Sequence, residues 1–343
     1  MDMRGRYTHN EIYSQPEAWV AALDMLSKHR RAIRDYSQPK QYQQIIFTGC
    51  GSTYYLSIAA ATLFQEMTGL SAQAFPASEL WLSPSSSYPS SGRILLVAIS
   101  RSGETTETVR ACEAFNGNGK GDIITFVCYP ESRIAKLGKL NLIFPSGMET
   151  SVAQTRAFST LYLGIVGLCA LWSDQSNLFE HLIELPRVGG QLLNKYTALA
   201  KTIGQNEKLD QIYYLGSGSR YGLACELNLK MKEMSLTHSE AFHFLEFRHG
   251  PKSMVNPNTL IVGLISEKNS FQEFAVLDDV RQLGGVVLSI GESQSDVSFQ
   301  SGVEEVIRNI LYLPFGQMLA FERSLTKGLD PDRPKNLDSV VIL

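Results

Sequence analysis

Nowhere in this 343-residue chain do eighteen apolar residues run consecutively, and the amino-terminal stretch Met1–Trp19 has no apolar core. A membrane-spanning helix and a signal peptide are both unexpected. The five cysteines, Cys50, Cys112, Cys128, Cys169 and Cys225, show no pairing and no C-x-x-C spacing. That argues against a zinc site and against a disulfide framework, so reduced thiols and a cytoplasmic location are expected. Charge of one sign is also lacking: the formal net charge is −3, and no Lys/Arg run is dense enough for a nucleic-acid-binding face. The basic cluster Lys28-His-Arg-Arg31 with Arg34 reads as the solvated side of a helix. No cofactor, organic or metallic, is implied.

What is present is an ordinary globular composition, 44% hydrophobic and 19% charged. At about 100–200 residues per domain, the length suggests two domains. From Gln44 onward, buried-strand runs (Ile45–Thr48, Ile94–Ser100, Asp122–Cys128, Leu140–Phe144) alternate with helical patterns (Tyr54–Met67, Thr105–Phe115). The second half repeats the alternation with strands at Ile212–Leu215, Leu260–Ile265 and Val286–Ile290, and helices at Tyr221–Ser235, Phe271–Leu283 and Pro314–Lys327. Such alternation predicts an α/β fold of parallel sheets flanked by helices, with ligands at the carboxyl ends of the strands. Phe158–Trp172 reads as a buried helix. Ser83–Gly92, rich in Ser and Pro, reads as a surface loop, and Asp174–Thr202 as connecting helices at the domain boundary. The expected partition is 1–185 for an arm and first domain, and 186–343 for a second domain with a tail.

Each half sends an apolar strand into a Gly/Ser turn, Thr48-Gly-Cys-Gly-Ser52 and Leu215-Gly-Ser-Gly-Ser219, which suggests an internal duplication. Ser100-Arg-Ser-Gly-Glu-Thr105 likewise follows a strand and opens a helix. Backbone N–H groups and the positive end of a helix dipole converge at such a turn, and Ser100, Ser102, Thr105 and Arg101 add side-chain donors, which suits a phosphate group. Simple helix capping by Ser102 or Thr105 remains the alternative, and Glu104 would be a poor neighbour for an anion.

Glu226, Lys230 and Glu233 stand at i, i+4 and i+7 of a helix, hence on one face. They form either a carboxylate–ammonium–carboxylate row for proton transfer or a solvated, salt-bridged face. The following segment, His238 to Pro251, packs three of the six histidines among aromatics. A histidine there could act as acid and base, and spacing does not choose among His238, His243 and His249.

Taken together, the motifs resemble the tandem sugar-isomerase (SIS) domain family, in particular the isomerase half of glucosamine-6-phosphate synthase and its deaminase relatives. The resemblance rests on E-I-x-x-Q-P at Glu11–Pro16, C-G-S-T at Cys50–Thr53, S-x-S-G-E-T at Ser100–Thr105, V-A-x-T-x-A-F at Val152–Phe158, E-x-x-x-K-x-K-E at Glu226–Glu233 and H-G-P at His249–Pro251. It implies two tandem flavodoxin-like SIS domains binding an open-chain hexose 6-phosphate between them. The phosphate would lie on Cys50, Gly51, Ser52, Thr53, Ser100, Arg101, Ser102 and Thr105, with Val152 and Ala153 also in the sugar site. Glu233 would be the base, Lys230 a lysine lining the site, and His249 the ring-opening acid/base, supplied by the partner subunit of a homodimer.

The reaction so implied is isomerisation with deamination of an amino-sugar 6-phosphate, by proton transfer between adjacent carbons through an enediol-like intermediate. A deglycase acting on a fructosamine 6-phosphate, or a non-catalytic sugar-phosphate sensor, are the alternatives. Against the synthase pattern, no glutaminase domain precedes the first SIS domain, so use of glutamine is not expected. Ser339 takes the place of the tail lysine that forms a Schiff base with the keto sugar, which excludes that route at this position; Lys335 is near in sequence but not matching. Arg101 stands for a glutamine, and Gln154 for a small hydroxyl residue.

Overall fold

The computed structural model describes residues 4–37, 42–89 and 91–343. They form two compact units, which are not consecutive in sequence. In chain order the first elements are α1 (Arg6–Tyr13), α2 (Gln15–Tyr36), β1 (Gln44–Gly49), α3 (Ser52–Thr68), β2 (Ala72–Pro76), α4 (Ala77–Leu82), α5 (Pro84–Ser87) and β3 (Ile94–Ser100). They are followed by α6 (Thr106–Asn118), β4 (Gly121–Val127), β5 (Leu140–Ile143), α7 (Arg156–Trp172) and α8 (Ser176–His181). The remainder comprises α9 (Leu185–Gly204), β6 (Gln211–Leu215), α10 (Ser219–Ser235), β7 (His238–Phe242), β8 (Thr259–Leu264), α11 (Ser270–Gln282), β9 (Val286–Gly291), β10 (Val297–Ser298) and α12 (Leu313–Thr326).

The N-terminal unit comprises Glu17–Glu149, Arg156–Ile183 and Asp338–Leu343. Its five strands pair in parallel in the order β2-β1-β3-β4-β5. Every residue of β3 is buried, as expected of a strand covered on both faces. Ile94, Leu96 and Ala98 pack towards Leu80 of α4 and Cys112 and Phe115 of α6. Towards the opposite face, Phe47 of β1 meets Phe64 of α3, which in turn meets Trp172 of α7. Helix α7 is buried from Ala157 to Trp172, which explains its largely apolar sequence.

The C-terminal unit comprises Glu184–Leu337 with Thr150–Thr155 and the stretch ending at Pro16. Its sheet repeats the order, β7-β6-β8-β9-β10, again all parallel. Tyr213, Leu215 and Ile261 pack with Val276, Leu277 and Val280 of α11. Helix α12 packs on α9 and α10, and Gly316 lets it come close: a Cβ there would lie 2.5 Å from the Leu227 side chain. Both sheets have the 2-1-3-4-5 order of flavodoxin-like folds, as the alternation of strands and helices predicts.

The compact units also take in segments from both ends of the chain that are remote in sequence from the rest of the unit. Helix α1 clusters with the C-terminal unit because Asp332 accepts the N–H groups of Tyr7 (3.1 Å) and Thr8 (2.7 Å), capping its first turn. Residues 338–343 cluster with the N-terminal unit because the Thr106 N–H donates to the Val341 carbonyl at 3.2 Å. The stretch read as a Ser/Pro loop contains the helical turn α5, with Ser87 buried. Among the described residues no helix is long and apolar enough to cross a membrane.

Candidate functional site

In the N-terminal unit the turns Cys50–Thr53 and Ser100–Thr105 leave the carboxyl ends of β1 and β3, which pair directly. In the order β2-β1-β3 this is where the chain switches direction across the sheet, the point at which open α/β sheets bind ligands. Gly103 has φ +67°, and its N–H donates to Ser100 Oγ at 3.0 Å; a Cβ there would lie 2.1 Å from Ser132 Oγ. Only glycine suits this bend. Helix α6 starts at Thr106, and Thr105 precedes it without making a side-chain capping bond. The Ser102 hydroxyl accepts the Glu104 N–H at 3.2 Å, and the Glu104 carboxylate accepts the Arg133 N–H at 2.8 Å. Glu104 is thus committed to the neighbouring loop.

Arg101 is only 7% exposed and faces Glu149, a wholly buried carboxylate, at 3.5 Å. It also donates to the Ser339 carbonyl at 3.0 Å. Residues Asp338–Leu343 therefore lie along the same turn, with Leu343 N–H donating to Thr106 Oγ1 at 3.2 Å. In the first turn the Thr53 hydroxyl is used locally, bonding both the N–H and the carbonyl of Cys50 at 2.9 Å. Burial pushes the Cys50 thiol up, although Thr108 Oγ1 at 3.4 Å opposes the shift. Cys50 is thus a protonated wall residue rather than a thiolate nucleophile.

In the C-terminal unit, α10 carries the row of ionisable groups on a buried face. The Lys230 side chain has no solvent exposure; it hydrogen-bonds Glu233 and lies 3.4 Å from Glu226, whose side chain is equally buried. A solvated face is excluded for Lys230 and Glu226. A buried lysine keeps its charge only with such partners, and Lys230 has two of them, Glu226 and the 18%-exposed Glu233. Glu233 borders a cavity of about 280 Å³ that is also lined by Lys327, Arg333 and Lys335.

His249 is exposed in the turn after Arg248, its N–H bonded to the Glu246 carbonyl at 2.9 Å. Of the other two histidines of this segment, His243 stacks on Tyr221 at 3.9 Å, with partial desolvation pulling its pKa down, and the exposed His238 sits 3.5 Å from Glu240. Val152 and Ala153 belong to a short loop held at its end by Gln317, whose Nε2 donates to the Thr155 carbonyl at 3.1 Å, and at its start by Glu11 and Asp332. The Glu11 carboxylate accepts the N–H groups of Thr150 (2.6 Å) and Ser151 (3.2 Å), and the Val152 N–H donates to the Asp332 carbonyl at 3.2 Å.

The structure therefore brings Cys50–Thr53 together with Ser100–Thr105 in one unit, and Lys230 with Glu233 in the other. Residue types and spacing did not mark Glu149 or Asp332 as partners of these groups; only the motif containing Glu11 gave a signal. Among the described residues no group of three or more His, Cys, Asp and Glu side chains is placed to hold a metal ion. A larger groove of about 750 Å³ runs along α3 and β2 past Ile58, Thr62 and Phe75, and contains none of these groups.

Comparison with known proteins shows what the chain resembles. The glutamine–fructose-6-phosphate aminotransferase (isomerizing) of Methanothermobacter thermautotrophicus is 25% identical over 99% of this chain and 58% of its own length. The same enzyme of Helicobacter pylori is 28% identical over 96% of the chain and 58% of its length. The chain thus spans somewhat over half of these relatives. Among solved structures, glucosamine-6-phosphate deaminase from Thermotoga maritima superposes with a TM-score of 0.76 at 26% identity, covering 94% of this chain and 100% of that one. Tagatose-6-phosphate ketose/aldose isomerase from Escherichia coli shares the fold, with a TM-score of 0.87 at 23% identity over 96% of this chain and 95% of that one. The SIS domain pattern matches residues 40–166 and 207–301, one match for each repeat of the sheet, and the chain belongs to the SIS domain family.

Proposed function

We propose that this chain is a phosphosugar isomerase and deaminase that converts an amino-sugar 6-phosphate such as glucosamine 6-phosphate, with water, to fructose 6-phosphate and ammonia. The observation that carries the reading is Lys230, a fully buried ammonium paired with Glu226 and Glu233 on α10. A module that only binds sugars has no need of a buried proton-transfer row, whereas an isomerase does.

In this reading the phosphate group is held by the turns Cys50–Thr53 and Ser100–Thr105, with Arg101 supplying charge. His249, contributed by the partner subunit of a homodimer, opens the ring. Glu233 then lifts the proton from C2 of the open aldose and returns it at C1. Lys230 stabilises the negative charge that develops on the C1 oxygen during the transfer. The product imine at C2 takes up water and releases ammonia, and no glutamine enters.

The cavity beside Glu233 supports a second reading. A fructosamine 6-phosphate deglycase would need part of the cavity's volume of about 280 Å³ for an amine larger than ammonia.

The test is release of ammonia and fructose 6-phosphate from glucosamine 6-phosphate by the purified protein, with Glu233→Gln as control. Release that depends on Glu233 supports the deaminase. Saturable binding without release moves the reading to the deglycase or to a sensor, and a fully active Glu233→Gln rejects the mechanism.

A further inference from the structure

The C-terminal unit contains a second copy of the phosphate-type turns, built to the same geometry. Gly51 (φ 54°, ψ −123°) and Gly218 (φ 60°, ψ −139°) precede α3 and α10 in matching conformations. Ser100 Oγ accepts the Gly103 N–H at 3.0 Å, and Ser266 Oγ accepts the Asn269 N–H at 3.0 Å. Strands β6 and β8 pair side by side as β1 and β3 do, so the second pair of turns also flanks a switch point.

The donors of this second site are already taken by carboxylates. The Ser266 N–H and hydroxyl donate to one oxygen of Glu273 at 2.6 and 3.0 Å. The N–H groups of Glu267 and Lys268 donate to Glu305 at 3.2 and 3.3 Å. Arg220, 7% exposed, donates to Glu305 at 3.0 Å and lies 3.5 Å from Glu273. Its Nε has no hydrogen-bond partner among the described residues. The Ser219 hydroxyl, counterpart of Ser52, accepts from Asn309 at 2.8 Å. Three backbone N–H groups, a hydroxyl and a guanidinium directed at carboxylate oxygens form the donor set that an oxyanion ligand requires. Glu273 is buried, whereas Glu305 is 24% exposed and forms the outer, removable part of the filling.

We propose that this second site is an oxyanion site filled by the chain's own carboxylates. Glu305 stands where a phosphate group would, and each chain takes up a single sugar phosphate. The single uptake rests on assigning the phosphate to the N-terminal unit's turns; the filled site itself does not.

The test titrates inorganic phosphate into the full-length protein and into Glu305→Ala, at constant ionic strength maintained with chloride. Calorimetry counts the bound equivalents and Tm reports stabilisation. The unaltered protein is expected to bind one equivalent per chain, and Glu305→Ala a second. Tm of the variant should rise with phosphate and not with chloride. Adding Arg220→Ala should remove the second equivalent. A second equivalent in the unaltered protein overturns the proposal, as does an unchanged count in Glu305→Ala. Should Glu305→Ala fold poorly, refolding yield becomes the readout: recovery dependent on phosphate supports the site, and its absence rejects it. No equivalent in the unaltered protein but one in Glu305→Ala would sustain the filled site, reject the single uptake and remove the phosphate from Ser100–Thr105.

Discussion

Glu226 Oε1 stands 3.4 Å from Lys230 Nζ, and neither side chain touches solvent. Removing one member of a buried ion pair costs about 3–5 kcal/mol when the other is left without a partner, and Lys230 keeps Glu233 when Glu226 is removed. Glu226→Leu is therefore expected to destabilise the protein by less than that amount in urea unfolding. The double variant Glu226→Leu/Lys230→Met should regain most of the loss while remaining inactive. Equal losses in the single and double variants would show that the pair is not the relevant unit.

Glu233 is placed to move a proton, and general acid–base groups typically contribute about 10²–10⁴ in rate. Glu233→Gln keeps the shape and the capacity to hydrogen-bond Lys230, so kcat should fall by about that factor with KM little changed. A rise in KM at constant kcat would instead make Glu233 a binding residue.

Arg101→Ala removes a buried, charge-assisted donor worth about 1.5–3 kcal/mol. Binding of sugar phosphates should weaken by about ten- to a hundredfold, equally for amino and neutral sugars. Unphosphorylated sugars should show no difference. Arg101→Lys should recover only part of the affinity, because an ammonium lacks the planar fork. Isothermal titration with matched sugars checks this directly.

Gly103→Ala would bring a Cβ to 2.1 Å from Ser132 Oγ at a φ of +67°. Backbone strain of this kind costs about 1–3 kcal/mol, so Tm should fall. Combining it with Ser132→Gly should relieve the clash but not the strain, leaving an intermediate Tm.

The strands legible in the sequence were the buried ones: Ile94–Ser100 is read residue for residue because both its faces are covered. Strands β2 (AQAFP) and β7 (HSEAF) were missed because they flank their sheets and lack β-branched runs. The hydroxyl-rich turns were legible because glycine and serine mark them in a continuous stretch. Burial of the α10 row was not, because spacing says which residues share a face and not whether that face meets water. The contacts filling the second turn were equally hidden, since Arg220 and Glu305 are 85 positions apart and no local pattern links them.

The cap that Asp332 places on α1 bears on how the protein is made. Its bond to Thr8 spans 324 positions, and the bond from Arg101 to Ser339 spans 238. A growing chain releases α1 long before Asp332, so the bonds that close its first turn wait until synthesis has passed Asp332. Both units therefore wait on the same late stretch, and contacts of such long separation form slowly. Translation stalled before Asp332 should leave α1 uncapped and the ribosome-bound intermediate open to chaperones, however complete its sheets.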